Sequence, residues 1–353
     1  MNAPATFAGV RVREADLRDA GDCAALARFV GEHGAGTPFH LPAWSIAVAE
    51  GCRQRAHYLV AERADGAIVG VLPTTLVRSA LFGRALVSTG FGVGGGCLAH
   101  DPATVRSLAE AAWALAQSLG CPGVELRGGP RPGPDWLSDG ETYLGFVRDI
   151  AADDEAELLA IPRKQRAEVR KALANDLTIT TGHGEAGDHY RVYATSVRNL
   201  GTPVFPRALF AAVLERCDAD ILSVRHGGRA VASVLSLFWG GTVFPYWGGG
   251  TDAARGLRAN DAMYFAVMRH ARARGCTRFD FGRSKAGTGA AAFKKNWGFA
   301  GEPLIYHHRT ASGEAPRAVN PLDPRYAAKI AAWKRLPLPI ANFVGPLIAR
   351  GLG

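Results

Sequence analysis

The chain has 353 residues, of which 48% are hydrophobic and 21% charged. That mixture is spread along the whole length, so a disordered or fibrous chain is excluded, and there is enough apolar material for two cores of about 150 residues each. The net charge of +9 is concentrated in two places: residues 161–176 carry +3 and residues 313–353 carry +4. Clustered cations of this kind suit phosphates on a nucleic acid, a nucleotide-linked substrate or anionic lipid heads.

The opening stretch MNAPATFAGVRVREADLRDAGD has no apolar core of the secretory type, and a cytoplasmic protein is expected. The cysteines at 23, 52, 97, 121, 217 and 276 form no C-x-x-C pair, so reduced, mostly buried thiols are expected and no metal site is assigned. The chain then shows one pattern twice, offset by 155 residues at a Gly-Cys pair. The first copy runs GAIVGVLPTTLVRSALFGRALVSTGFGVGGG, HDPATVRSLAEAAWALAQSLGC and PGVELR; the second runs GRAVASVLSLFWGGTVFPYWGGG, TDAARGLRANDAMYFAVMRHARARGC and TRFDFGR. Each copy predicts two strands, a glycine cluster, a helix and a further strand. Asp101 and Pro102 predict a helix start and Gly120 its end; Asn260 or Asp261 would cap the second helix and Gly275 would end it.

Two further strands are expected, Tyr143 to Ile150 and Pro303 to Arg309, one closing each copy. The predicted organisation is a first domain over 1–150, a basic linker helix (155–174) and a second domain within 151–312, and a proline-rich basic and apolar tail over 313–353. The tail's longest uncharged run, Leu336 to Ala349, is too short to cross a bilayer. Trp333, Lys334 and Arg335 before it suit a peripheral anchor on the inner membrane, and the competing expectation is that the run covers an apolar groove of its own protein.

A strand, a glycine-rich loop and a helix closed by AAFKKNWGF resemble the acyltransferase fold called GNAT. Two such domains with a helical insertion resemble the Fem family, which builds peptidoglycan cross-bridges. FHLPAW (39–44), RKQRAEVRKA (163–172), FDFGRSKAGTG (279–289) and FKKNWG (293–298) carry the match, and the tail resembles a subgroup associated with exosortase and exopolysaccharide gene clusters. The resemblance implies an α/β fold with mixed sheets, in two tandem GNAT-like domains joined by the basic helix. It also implies transfer of an acyl or aminoacyl group to an amine of a peptidoglycan- or exopolysaccharide-related precursor, nucleotide- or lipid-linked. The donor would be aminoacyl-tRNA or acyl-CoA as a co-substrate, with no permanently bound cofactor; the oligomeric state stays open. An acyl-CoA-dependent N-acyltransferase of an amino sugar or amino lipid is the alternative, and a non-catalytic RNA- or membrane-binding module is the alternative of another class. CoA users of the fold carry an Arg/Gln-x-x-Gly-x-Gly/Ala loop before the second helix, whereas here the stretch 254–260 reads ARGLRAN with its glycine out of register.

Amide formation needs a neutral amine, a cradle for the developing oxyanion and close placement of both reactants. Lys294 matches a Phe-Lys pair that lies at the reaction centre in Fem enzymes; the plain alternative is a solvated helix face beside a buried Phe293. Asp280, expected at a strand end facing a cleft, would accept a proton or orient the amine, or else merely cap a turn or pair with Arg283. Arg283 and Ser284 would lie in a glycine-containing loop near the ligand; Tyr246 and Trp247 are further substrate-binding candidates, and the glycines 248–250 after them would shape the cleft floor or else form a simple wide turn. Arg163, Arg166 and Arg170 recur at helical spacing and suit phosphate contact, with a charged solvated face as the plain alternative, and Trp44 would line the acceptor side or else pack in the core or at its rim.

Overall fold

In the computed structural model the residues described are 5–7, 9–311 and 324–353, so the first part of the expected tail, 312–323, lies outside them. The first half contains β1 (Ala5–Phe7), β2 (Val10–Glu14), α1 (Ala20–Glu32), α2 (Pro42–Cys52), β3 (Arg55–Glu62), β4 (Ile68–Ser79), β5 (Gly83–Ser88), β6 (Leu98–Ala99), α3 (Pro102–Ser118), β7 (Gly123–Arg127) and β8 (Leu137–Asp139). There follow β9 (Tyr143–Asp149), α4 (Asp154–Ala160), α5 (Arg163–Leu173), β10 (Thr178–Thr181), α6 (Ala186–Leu200), α7 (Arg207–Arg216), β11 (Ala219–His226), β12 (Arg229–Trp239) and β13 (Thr242–Gly250). The remainder is α8 (Asp252–Gly256), α9 (Ala259–Ala273), β14 (Arg278–Lys285), α10 (Gly289–Asn296), β15 (Gly301–Pro303), β16 (Tyr306–Thr310) and the tail helices α11 (Pro324–Arg335) and α12 (Leu338–Ala349).

Each repeat folds as β-β-loop-α-β: β4, β5, α3 and β7 in the first, β12, β13, α9 and β14 in the second. Local chemistry sets the helix limits. Asp101 accepts a hydrogen bond from the Thr104 amide at 2.8 Å and so caps α3, whose buried stripe is Val105, Leu108, Ala109, Ala112 and Ala116. Gly120 and Gly275, at φ of +65° and +80°, end α3 and α9 in the left-handed conformation that glycine adopts without a Cβ clash. The start of α9 differs from expectation: neither Asn260 nor Asp261 caps it, and both lie inside its first turn behind Arg258, itself left-handed. The expected single helix 155–174 is two helices, because Pro162 cannot continue α4 and holds the residue before it extended.

The described strands form two sheets. One has nine, in the order β1-β2-β3-β4-β5-β7-β16-β8 with β6 on β4, and the other seven, β10-β11-β12-β13-β14-β9-β15. The closing strands are exchanged. β9, which follows the first repeat, pairs with β14 and β15, while β16, which follows the second, lies between β7 and β8. A third cluster of buried residues joins the halves through α2 and α7, where a Cβ on Gly51 would collide with the Leu209 backbone. Because each sheet is completed by the other half, chemical denaturation is expected to show one transition. Phe146→Ala, which empties a fully buried position on β9, should lower stability by about 3–5 kcal/mol; two separable transitions would contradict this coupling.

Candidate functional site

In each sheet the strands flanking the repeat's helix are parallel neighbours: β5 with β7, and β13 with β14. The second pair is joined only at Thr242–Val243 and Arg278–Phe279, after which the strands part. Both also bulge. On β13, Leu235 faces Trp247 and Ser236 faces Pro245, so Tyr246 is the extra residue; on β14, Phe281 and Gly282 together stand opposite Phe146. Gly282 has φ of +66°, a conformation that suits glycine at such a bulge. A cavity of about 290 Å³ opens at this parting. Its wall combines Phe91, Val93 and Arg127 of the first half, Pro245 to Gly248, Tyr264, Phe281 to Arg283 and Lys294 of the second, and Leu352 and Gly353 of the tail.

Lys294 lies in the last turn of α10 and reaches back to the bulge, its Nζ donating to the Gly282 and Arg283 carbonyl oxygens at 3.1 and 2.9 Å. A bulge disturbs the ladder, and the ammonium serves the carbonyls it turns aside. The group lies over the rings of Phe146 and Phe281, with centroids 5.2 and 5.4 Å away. Burial lowers its pKa to about 8 and nearby Arg283 lowers it too, against the upward pull of Asp280. Asp280 is half-buried in the body of β14, not at its end. Its Oδ1 accepts the Gly282 amide at 2.8 Å, so it braces the bulge, and burial pushes its carboxyl above the usual range.

Among the other polar groups, Arg283 is held by the tyrosines of the exchanged strands. Arg283 donates to the Tyr306 hydroxyl at 2.7 Å and lies 4.7 Å from the Tyr143 ring centroid; the Tyr306 hydroxyl in turn donates to the Val93 carbonyl. Tyr246 donates to the Phe91 carbonyl. Arg127 bonds Glu125 at 2.6 Å and the Thr89 and Gly92 carbonyls at 3.2 and 2.9 Å. Burial raises the Glu125 pKa, but Arg127 and its neighbours outweigh that and keep it low. Among the described residues the lining therefore includes the side chains of Arg127, Arg283 and Lys294 and no Asp or Glu.

Of the residues singled out from sequence, Lys294, Arg283, Tyr246 and Trp247 meet in this cavity, with Gly248 beside them. Trp44 does not line it: it is fully buried, donates to the Gly90 carbonyl at 3.2 Å and stacks beneath Trp247 at 5.9 Å. Ser284 is buried on β14, and Phe293 packs on the core near Tyr264 and Phe281; neither is in the wall. Arg283 and Ser284 belong to β14, so the expected loop is confined to the turn after Lys285. On α5, Arg166 is spent on the Ile161 and Leu159 carbonyls, while Arg163 and Arg170 are exposed and away from the lining residues. Arg127, Tyr143 and Tyr306 were missed. A signal for Arg127 was present: PGVELR and TRFDFGR both end in arginine after the Gly-Cys pair, one residue out of step because of the bulge at Gly282.

The helix N-termini that would receive a diphosphate are both acidic. Asp101 caps α3, and Asp261 sits in the first turn of α9, its amide and that of Ala262 already donating to the Arg258 carbonyl. Gly250 is closed against Ala254 and Asn260. A carboxylate in that position opposes a bound phosphate.

The acetyltransferase (GNAT) domain family matches residues 162–295. Among solved structures, FemX is similar with a TM-score of 0.63 at 14% identity, over 84% of this chain and 96% of that one. The chain has the tandem GNAT fold. A tandem GNAT protein from the clavulanic acid biosynthesis pathway is similar with a TM-score of 0.53 at 15% identity, over 87% of this chain and all of that one (100%). The C-terminal domain of a protein named lysylphosphatidylglycerol synthetase in Agrobacterium fabrum is similar with a TM-score of 0.56 at 13% identity, over 83% and 93%. No curated protein matches the chain by sequence. The Fem-like resemblance thus holds at the level of fold, and the matched domain contains the second repeat and Lys294.

The geometry predicts the titration of Lys294. Its ammonium should deprotonate near pH 8 when followed by NMR of the reductively methylated protein, and Asp280→Asn, by removing the charge that supports the protonated form, should shift the midpoint lower still. A midpoint above 10, near that of a free lysine, would contradict the burial described.

Proposed function

We propose that the chain is an aminoacyl- or acyltransferase that forms an amide on an amine of a cell-envelope precursor, and that Lys294 moves the proton. The observation that carries the reading is a buried lysine, held on two bulge carbonyls over two phenylalanine rings with its pKa lowered to about 8, in a cationic, aromatic-walled cavity at the junction of two GNAT-like domains. At neutral pH roughly a tenth of such a lysine is uncharged. The neutral Nζ takes a proton as the acceptor amine attacks the donor carbonyl and the C–N bond forms. The resulting ammonium returns that proton to the leaving oxygen of an ester, or the sulfur of a thioester, as that bond breaks. Arg283 and Arg127 supply positive potential for the developing oxyanion in a site of low dielectric.

An aminoacyl ester donor such as aminoacyl-tRNA suits the molecule better than acyl-CoA. The acidic starts of α3 and α9 offer no cradle for the CoA diphosphate, whereas Arg163, Lys164 and Arg170 stand exposed on α5 for a phosphate backbone. FemX and the lysylphosphatidylglycerol synthetase domain, similar in fold, support an envelope acceptor.

The test is transfer from labelled aminoacyl-tRNAs and acyl-CoAs to amine-bearing envelope precursors. Transfer by the wild type should rise with pH through about 8, as neutral Lys294 accumulates. Lys294→Ala should lose about a hundredfold or more in turnover, and Lys294→Arg should fail to restore it because a guanidinium stays charged. Full activity in Lys294→Ala, or silence from every donor, would overturn the reading.

A further inference from the structure

Helix α12 sorts its side chains in the reverse of the usual way. Ala341, Gly345 and Ala349, at four-residue spacing, are the buried ones, and Gly345 lies so close to the body that a Cβ there would meet the Val204 amide nitrogen at 3.0 Å. The large residues point outward: Ile340, Phe343 and Leu347 are 49, 78 and 55% exposed. The helix is nevertheless held firmly. Leu338 packs on the core, Gln54 donates to the Arg350 carbonyl at 2.7 Å just beyond its end, and Arg198 donates to the Lys334 carbonyl at 3.1 Å just before it. A docked helix that buries its small residues and presents isoleucine, phenylalanine and leucine to water leaves an apolar stripe without a partner.

The neighbourhood extends the stripe and gives it a charge. Leu81, 68% exposed, stands on the β4–β5 turn whose Ser79 abuts Gly351, and Leu200, 70% exposed, adjoins Gly201, against which Ile330 of α11 packs. Residues 324–353 contain Arg325, Lys329, Lys334, Arg335 and Arg350 and no Asp or Glu. An apolar stripe flanked by cations and free of acid matches the interface of an anionic bilayer, where the rings and aliphatic chains enter the acyl boundary and the cations meet the head groups. Two other occupants fit less well. Residues 312–323 offer only Val319 and Leu322 as large aliphatics, too few to cover Ile340, Phe343 and Leu347, and a second copy would set like charges against each other.

We infer that α12, with the basic residues around it, docks the protein on an anionic membrane surface. No helix is long and apolar enough to cross a membrane among the described residues, so the contact is peripheral. Three residues past α12, Leu352 and Gly353 form part of the cavity wall, with Gly353 against the Phe91 ring. Docking therefore brings the cavity close to the lipid surface, which suits an acceptor carried on a lipid; that last step rests on the transfer reading above.

Co-sedimentation of the full chain with phosphatidylcholine vesicles, with and without phosphatidylglycerol, tests the docking. Binding is expected to vesicles containing phosphatidylglycerol and to weaken with salt. Phe343→Glu should cut the partition about tenfold or more while leaving thermal unfolding unchanged, since the ring is exposed. Phe343→Leu should retain binding, and Lys334→Gln with Arg335→Gln should weaken it only on anionic vesicles. Failure to sediment, or equal sedimentation of Phe343→Glu, would overturn the inference. So would light scattering that shows a dimer which Phe343→Glu dissociates, because the face would then belong to a second copy. Sedimentation needs no turnover, so its failure leaves the transfer reading standing, and absence of transfer leaves the docking standing.

Discussion

The pairing of each closing strand with the other half's sheet is the constraint on which the rest of the molecule depends. β9 leaves the first repeat to lie beside β14, and β16 returns from the second to lie beside β7. Each half thus needs the other to satisfy its backbone, and an unpaired N–H or C=O buried in such a sheet would cost about as much as a lost hydrogen bond. The same exchange delivers Tyr143 and Tyr306 to the boundary, where they flank Arg283. Arg283 in the cavity wall is therefore held by the topology, through tyrosines on the strands that tie the halves together.

Within that frame the bulges decide the chemistry. A regular ladder along β14 would pair the Gly282 and Arg283 carbonyls with a neighbouring strand, and Lys294 would have no reason to turn inward. With the bulge present, those oxygens accept from the ammonium, which is held over two phenylalanine rings where solvation is poor. Burial and Arg283 favour the neutral amine, Asp280 favours the charged one, and the balance falls near pH 8. Removing the amine altogether would leave two carbonyls without their donor; restoring full solvation would return the lysine to its ordinary range. The observed arrangement lies between these limits.

The tail joins the two scales. Its helices rest on α6 and on the end of β4, bridging both halves, and its last residues close one side of the cavity. A contact made by the outer face of α12 is thus mechanically continuous with the wall of the cavity.

Several features were legible in the residues alone, for local reasons. The internal repeat announced two copies of β-β-loop-α-β, since hydrophobic periodicity and a recurring Gly-Cys mark the same units wherever they sit. Asp101, Gly120 and Gly275 marked helix ends because capping and left-handed φ are decided within a few residues. The Phe-Lys pair at 293–294 drew attention to the lysine that the structure places in the cavity. Other features depend on partners far away in sequence. Which sheet receives Tyr143–Asp149 and Tyr306–Thr310 is a matter of long-range pairing, invisible to a window of neighbours. Trp44 reads equally well as a wall or a core residue until Trp247 and Gly90 close over it. Arg127 looks like an ordinary strand end until the two halves meet. Sequence by itself determined the units, their limits and the residue types available; tertiary structure decided which carbonyls lost their ladder partners, which cations were desolvated and which face of α12 was left outward, because each of these depends on what packs against a residue across the fold.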